Sequence, residues 1–106
     1  MKIQKLNKDN FKTIIESSEK LVVVDFYADW CGPCITMGPI IEELEKEMDG
    51  KIEINRVNVD ENEEESEKYG VMSIPTFLIM QDDKELDRFV GVTSKDNIKN
   101  KILQHL

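Results

Sequence analysis

The arrangement of apolar and polar residues along the chain predicts five strands. Residues 21–27 form a nearly continuous apolar run, rich in valine and interrupted by Asp25, which is typical of a central strand buried on both faces. The other predicted strands are shorter or alternate less regularly, and they cover residues 2–6, 52–59, 76–80 and 86–90. The last two are expected to pair as a hairpin around a polar connection at residues 81–85.

Apolar residues at helical spacing predict four helices between and after these strands. Their expected starts are Asn7 or Asp9, a point near Cys34, Asp60, and Ser94. Asp60 and Glu63 have the spacing of a capping box, in which each side chain bonds a free amide of the first turn. The residues of the last helix that are expected to face inward are Ile98, Ile102, Leu103 and Leu106.

The predicted order of elements is β-α-β-α-β-α-β-β-α within one domain, residues 1–106. Alternating strands and helices favour an α/β fold with a mixed five-stranded sheet and helices on both of its faces. The antiparallel hairpin should lie near the end of that sheet.

Composition excludes several classes of function. The net charge of −8 disfavours nucleic acid and anionic membranes as partners. The first ten residues lack the apolar centre of a signal peptide, and the apolar runs are far shorter than a membrane span. We therefore expect a cytoplasmic protein that touches neither membrane nor nucleic acid. We also expect a monomer, although no feature of the sequence decides whether the chain dimerises.

The two cysteines of the chain lie in Trp30-Cys31-Gly32-Pro33-Cys34, between the central strand and the second helix. A disulfide at this spacing closes too small a loop to stabilise a fold strongly, so its purpose should be chemical. A thiolate at a helix N-terminus is stabilised by free amides and the helix dipole, and we expect a lowered pKa for the Cys31 thiol. Cys34, one turn further in and less exposed, is the candidate resolving thiol.

The residues between the cysteines suit this chemistry. Gly32 keeps the approach to Cys31 open, and Pro33 has no amide hydrogen to leave unpaired at a helix start. The alternatives are an exposed pair without a role, or half of a metal site. A structural zinc ion needs four ligands, and the other soft donor, His105, lies near the far end of the sequence, so we predict no metal.

Asp25 is the one charged residue in the central apolar run. Burial disfavours the ionised carboxyl and raises its pKa, so Asp25 could accept the proton that Cys34 must lose. The alternative is an aspartate at the strand end that turns outward, and the residues alone do not separate these two readings.

The motif around the cysteines, with Pro39 after it, is similar to the thioredoxin family, and the similarity extends over essentially the whole chain. Two further segments match that family, Ser73-Ile74-Pro75-Thr76 and Phe89-Val90-Gly91. The resemblance implies the thioredoxin fold. It also implies Cys31 as nucleophile, Cys34 as resolving thiol and Asp25 as the buried aspartate.

The resemblance further implies a cis peptide bond at Pro75 and a client segment that pairs with the backbone of Ile74. It places Trp30 and Gly91 at the client-binding surface. The apolar surface expected to bind clients comprises Trp30, Gly32, Pro33, Ile35, Ile74, Pro75 and Gly91. Met72 either joins that surface or faces inward.

A member of this family would reduce disulfides in client proteins and be recharged by a thioredoxin reductase, usually dependent on flavin and NADPH. Its electrons travel on the Cys31–Cys34 disulfide, so no bound cofactor is expected. The alternatives are a disulfide oxidase or isomerase, a binding module with idle thiols, and a zinc-binding module.

The chain departs from the family pattern at several positions. Tyr27 stands where a second tryptophan is common, and Arg56 stands where the family has a lysine near the buried aspartate. Ile35 replaces a frequent lysine, and Asp82-Asp83 replaces Asn-Gly in the hairpin. Since arginine stays charged and cannot relay a proton, these changes bear on Asp25 and on the choice of partners.

Overall fold

The computed structural model describes residues 4–6 and 10–106, without the side chains of residues 4, 12 and 17. The proposed caps Asn7 and Asp9 and the start of the first predicted strand lie outside the described residues. The elements, in chain order, are β1 Gln4–Leu6, α1 Phe11–Ser17, β2 Leu21–Tyr27, α2 Gly32–Glu47, β3 Ile52–Asn58, α3 Glu63–Lys68, β4 Thr76–Gln81, β5 Lys84–Val90 and α4 Lys95–His105.

The five strands form one mixed sheet in the order β1-β3-β2-β4-β5. The pairs β1–β3 and β3–β2 are parallel, whereas β2–β4 and β4–β5 are antiparallel. The strand β2 is therefore central, which explains its continuous apolar run. The predicted α/β fold, with an antiparallel pair at one end of the sheet, is confirmed.

Side chains of β2 alternate between two cores. Leu21 and Val23 face a core that contains residues of α2 and α4, and Val22 and Val24 face a core that contains residues of α1. Asp25 continues the first of these rows, so its side chain emerges on the face that α2 covers. This alternation decides on which side of the sheet the carboxyl lies.

Several predicted helix details are confirmed and others are wrong. The Ser94 hydroxyl accepts a hydrogen bond from the Asn97 amide at 3.1 Å, so Ser94 caps α4 as expected. In that helix Ile98 and Ile102 are buried, but Leu103 is exposed, as is Leu106, which follows the helix. The helical stripe that meets the core is narrower than the apolar pattern predicted, because α4 lies at the surface of the domain.

The other corrections concern where elements begin. The helix α2 begins at Gly32, two residues before the predicted start, and α3 begins at Glu63 rather than Asp60. The Asp60 carboxylate forms no capping box, because it accepts a hydrogen bond from the indole Nε1 of Trp30 at 2.8 Å instead. The hairpin connection contains two residues rather than five, Asp82 and Asp83, both with positive φ. Two successive left-handed residues let β4 and β5 pair further toward the turn than polarity indicated.

Candidate active site

The two cysteines lie at the corner where β2 ends and α2 begins, and their sulfurs form a disulfide. Cys31 is the N-cap of α2, with extended backbone, and its Sγ accepts a hydrogen bond from the Cys34 amide at 3.1 Å. Pro33 occupies the second helical position rather than the first, still within the turn whose amides have no helical partner. The helix start thus directs amide dipoles at the sulfur of Cys31.

The predicted difference in exposure between the cysteines is wrong for the disulfide form, since both residues are 4% exposed. The disulfide holds the two sulfurs together, and both cysteines pack with Tyr27 and Ala28, against the partly buried Ile74. The two thiols are therefore distinguished by what surrounds each sulfur. The Cys31 sulfur accepts the hydrogen bond from the Cys34 amide and lies 3.8 Å from the Ile74 carbonyl oxygen.

The loop before β4 brings Ile74 to the disulfide. The Ile74–Pro75 peptide bond is cis. The Pro75 carbonyl accepts a hydrogen bond from the Gly91 amide at 2.8 Å, and Gly91 has a φ of +88°. The segments around residues 31, 74 and 91 therefore meet, and a client chain laid along this loop would pass beside Cys31.

Exposed apolar side chains stand on all three of these segments. Trp30 is 71% exposed and Ile35 is 66% exposed on the disulfide segment, and Met72 is 95% exposed on the loop before Pro75. Val92, which follows Gly91, is also exposed, and sequence reasoning missed it because a single apolar residue in a loop carries no periodic signal. Met72 thus belongs to the exposed rim rather than the core.

Asp25 is buried and paired. It is 3% exposed, and its Oδ2 accepts a hydrogen bond from Nε of Arg56 at 3.2 Å. The parallel register places these residues side by side on β2 and β3. Burial raises the pKa of Asp25 to about 6, while the charge and hydrogen bond of Arg56 oppose that rise. The other oxygen, Oδ1, has no hydrogen-bond partner among the described residues.

Asp25 and Cys34 each border a cavity, and the two cavities share lining residues. One of about 240 Å³ borders Asp25, and the other, of about 250 Å³, borders Cys34. Gly38 and Arg56 line both. A Cβ atom at Gly38 would meet nothing within 4 Å, so it would project into open space. No local pattern predicts the position of Gly38 at these cavities, because it depends on what the second turn of α2 faces.

Within the described part of the chain, no three His, Cys, Asp or Glu side chains converge as a metal site. His105 lies beside Asp87, with 3.4 Å between Nε2 and Oδ2. Nor does any helix in residues 4–6 and 10–106 have the length and apolar character to cross a membrane.

Comparisons with known proteins agree with this geometry. The thioredoxin family model matches residues 2–104. Thioredoxin of Chlorobaculum thiosulfatiphilum is 47% identical over 97 residues, which cover 92% of this chain and 90% of that protein. Thioredoxin of Bacillus subtilis (strain 168) is 42% identical over 106 residues, the full length of both. A crystal structure of chloroplastic thioredoxin z superposes with a TM-score of 0.88 at 30% identity and covers 98% of this chain and 94% of that one.

Proposed function

The chain belongs to the thioredoxin family and is a thiol–disulfide oxidoreductase that reduces protein disulfides, and we propose that Cys31, Cys34 and Asp25 carry out the reaction. Members of this family carry electrons on the active-site disulfide and need no further cofactor. The observation that carries the proposal is the position of Cys31 as N-cap of α2, bonded to Cys34.

The first step is attack by the Cys31 thiolate on a client disulfide. A bond forms between Sγ of Cys31 and one client sulfur, and the other client sulfur leaves as a thiolate. The anion at Cys31 is favoured by the helix dipole and by the amide of Cys34, whose hydrogen already points at the sulfur.

The second step regenerates the disulfide. The Cys34 thiol gives its proton to the Asp25 carboxylate, and the resulting thiolate attacks Sγ of Cys31. The bond between Cys31 and the client breaks, and the client leaves fully reduced, having gained two electrons from the Cys31–Cys34 pair. A carboxyl with a pKa of about 6 suits this task, because it is mostly ionised at neutral pH and still basic enough to take a proton.

Client proteins bind, in this proposal, along the loop before β4. The Ile74 backbone pairs with an extended client segment, as in strand addition, while Trp30 and Gly91 contact its flanks. Gly32, Pro33 and Pro75 shape the approach to Cys31. The exposed apolar side chains on the same segments support binding with little sequence preference.

After each cycle, a thioredoxin reductase returns two electrons to the Cys31–Cys34 disulfide. The protein acts as a monomer in a reducing compartment, the cytoplasm, where a reductase of this kind keeps the dithiol available. Trapping the redox state of the cysteines in cells by rapid alkylation tests this placement, and a fully oxidised pair at steady state would contradict it.

The central test uses single serine variants on a disulfide-containing client. Cys34→Ser should accumulate a mixed disulfide through Cys31, because the resolving thiol is missing. Cys31→Ser should accumulate none and should serve as the matched control. Trapping by the second variant rather than the first would reverse the two roles. Equal reduction of the client by dithiothreitol with and without the protein would instead overturn the reductase function.

A further inference from the structure

Two departures from the family pattern, Tyr27 and Arg56, lie in direct contact. The guanidinium carbon of Arg56 is 3.8 Å from the centroid of the Tyr27 ring, the distance of a close cation–π stack. The same guanidinium donates its Nε hydrogen to Oδ2 of Asp25. Tyr27 and Asp25 project from the same face of β2, two residues apart, and Arg56 is the register partner of Asp25 on β3.

The contact with Tyr27 affects how Arg56 bonds Asp25, because a guanidinium is planar and has hydrogen-bond donors on several edges. A guanidinium free to turn could engage both carboxylate oxygens, or could swing toward solvent, to which the Arg56 side chain is 30% exposed. Held over the Tyr27 ring, it presents Nε to the carboxylate. One oxygen of Asp25 is then bonded and the other, Oδ1, is left without a partner among the described residues.

The hydroxyl group of Tyr27 has a different partner. The pKa of Lys5 is raised, first of all by a side-chain hydrogen bond with Tyr27, and the hydrogen bond of Arg56 goes to Asp25. The contact that holds the guanidinium is therefore the face of the ring, and a phenylalanine would retain it.

We propose that Tyr27 and Arg56 form a single positioning unit for Asp25, in which the ring holds the guanidinium on Oδ2 and keeps Oδ1 free to receive a proton. Both residues act through Asp25 and touch no reacting sulfur in this role. The inference rests on the proposed function of Asp25 as proton acceptor, and it assigns that function to one of the two oxygens. In that function Sγ of Cys34 loses a proton, the carboxyl of Asp25 gains one, and no electrons move. Asp25 and Cys34 border two cavities that share Gly38 and Arg56 as lining residues.

The charged groups around Asp25 come from β1, β3 and α2. Arg56 faces it from β3, whereas Lys5 from β1 and Glu42 from α2 line the cavity that Asp25 borders. On the remaining side, β4 contributes the uncharged Phe77 as the register partner. Arg56 is the group that hydrogen-bonds the carboxylate, so a change in its orientation should shift the titration midpoint of Asp25.

The experiment is a double-variant cycle on the disulfide form, read as the titration midpoint of the Asp25 side-chain carboxyl carbon by NMR. Arg56→Met removes the charge and should raise the midpoint by about one pH unit or more, because the guanidinium no longer opposes the effect of burial. Tyr27→Leu should raise it by at least half as much, because the guanidinium loses its support. The double variant should match Arg56→Met alone, since the ring acts only through the guanidinium.

Tyr27→Phe is the matched control and should keep the midpoint of the original chain. Shifts that add in the double variant would overturn the proposal, as would a Tyr27→Leu midpoint equal to the original, or a Tyr27→Phe shift as large as that of Tyr27→Leu. Tyr27→Met, a second replacement without a ring, takes the place of Tyr27→Leu if that variant does not fold.

The proposed function is tested apart from this cycle by the rate at which a trapped mixed disulfide resolves. If Asp25 is the proton acceptor, the midpoint of the pH–rate profile should move with the NMR midpoint across these variants. A coupled NMR cycle with an unmoved rate profile would support the positioning unit and overturn the role of Asp25 as acceptor.

Discussion

Replacing Asp25 with asparagine should stabilise the oxidised protein at neutral pH by about 3 kcal/mol. The physical reason is that the buried site disfavours a charge, and asparagine is neutral at every pH. Asparagine has nearly the same shape and can still accept the hydrogen bond that Arg56 donates to Oδ2. The difference between the two proteins should therefore report the cost of the ionised carboxylate alone.

The sign and size follow from proton linkage. The pKa of Asp25 is about 6 in the folded chain and near 3.8 in its ordinary state, so between these values the folded chain binds more protons than the unfolded chain. The stability of the original protein consequently falls as pH rises from about 4 through 6, and the loss is complete near neutrality. At about 1.4 kcal/mol per pH unit, this interval corresponds to about 3 kcal/mol.

Urea unfolding of both proteins, with the disulfide intact, measures the difference in their free energies of unfolding at a series of pH values from about 4 to 8. With a slope of about 1–3 kcal/mol/M, the midpoint of Asp25→Asn should lie roughly 1–3 M higher at pH 7 and coincide with the original near pH 4. Asp29→Asn, which removes an exposed carboxylate from the following loop, is the control and should show little of this dependence. A gap for Asp25→Asn that stays constant over the whole range would refute desolvation of the charged form as its cause.

Three further changes test other parts of the structure. Ser94→Ala removes the hydroxyl that accepts from the Asn97 amide and should destabilise the protein by about 1 kcal/mol, measured by urea unfolding. Arg88→Met removes the guanidinium that donates to the Tyr69 carbonyl at 2.6 Å and should lower the free energy of unfolding by about 1.5–3 kcal/mol, measured by urea unfolding. A decrease below about 0.5 kcal/mol would show that this hydrogen bond contributes little to stability. Asp82 has a φ of +52°, which glycine adopts without strain, so Asp82→Gly should raise the free energy of unfolding by about 0.5–1 kcal/mol. The thermal midpoint should rise, and a lower midpoint would contradict the turn geometry.

The agreement between sequence and structure is greatest where local pattern and burial coincide. The valine-rich run at residues 21–27 predicts a central strand, and all seven of its residues are buried. Ser94 before a helical pattern predicts an N-cap, and it caps α4. The weakest predictions involved side chains with a choice of partner. Asp60 had the spacing of a capping residue, yet the indole of Trp30 offers its carboxylate a hydrogen bond from thirty positions away.

The exposure of the cysteines shows a different limit. Helical spacing placed Cys34 deeper than Cys31, but the loop that carries Ile74 covers both, and that loop is distant in sequence. The hairpin was assigned too long a connection for a related reason. Polarity marks residues 81–85 as a turn, whereas the backbone needs only two left-handed residues to reverse the chain.

The sequence by itself determined the order of strands and helices along the chain, because that order follows from the periodicity of apolar residues. It also placed the two cysteines between a strand and a helix, because their spacing is read from a short stretch. Only the tertiary structure decided that Arg56 bonds one oxygen of Asp25 while its guanidinium contacts the ring of Tyr27. It also decided that Gly38 lines both the cavity beside Asp25 and the cavity beside Cys34. These contacts join residues from separate elements, and their distances depend on strand register and helix packing, which no local pattern encodes.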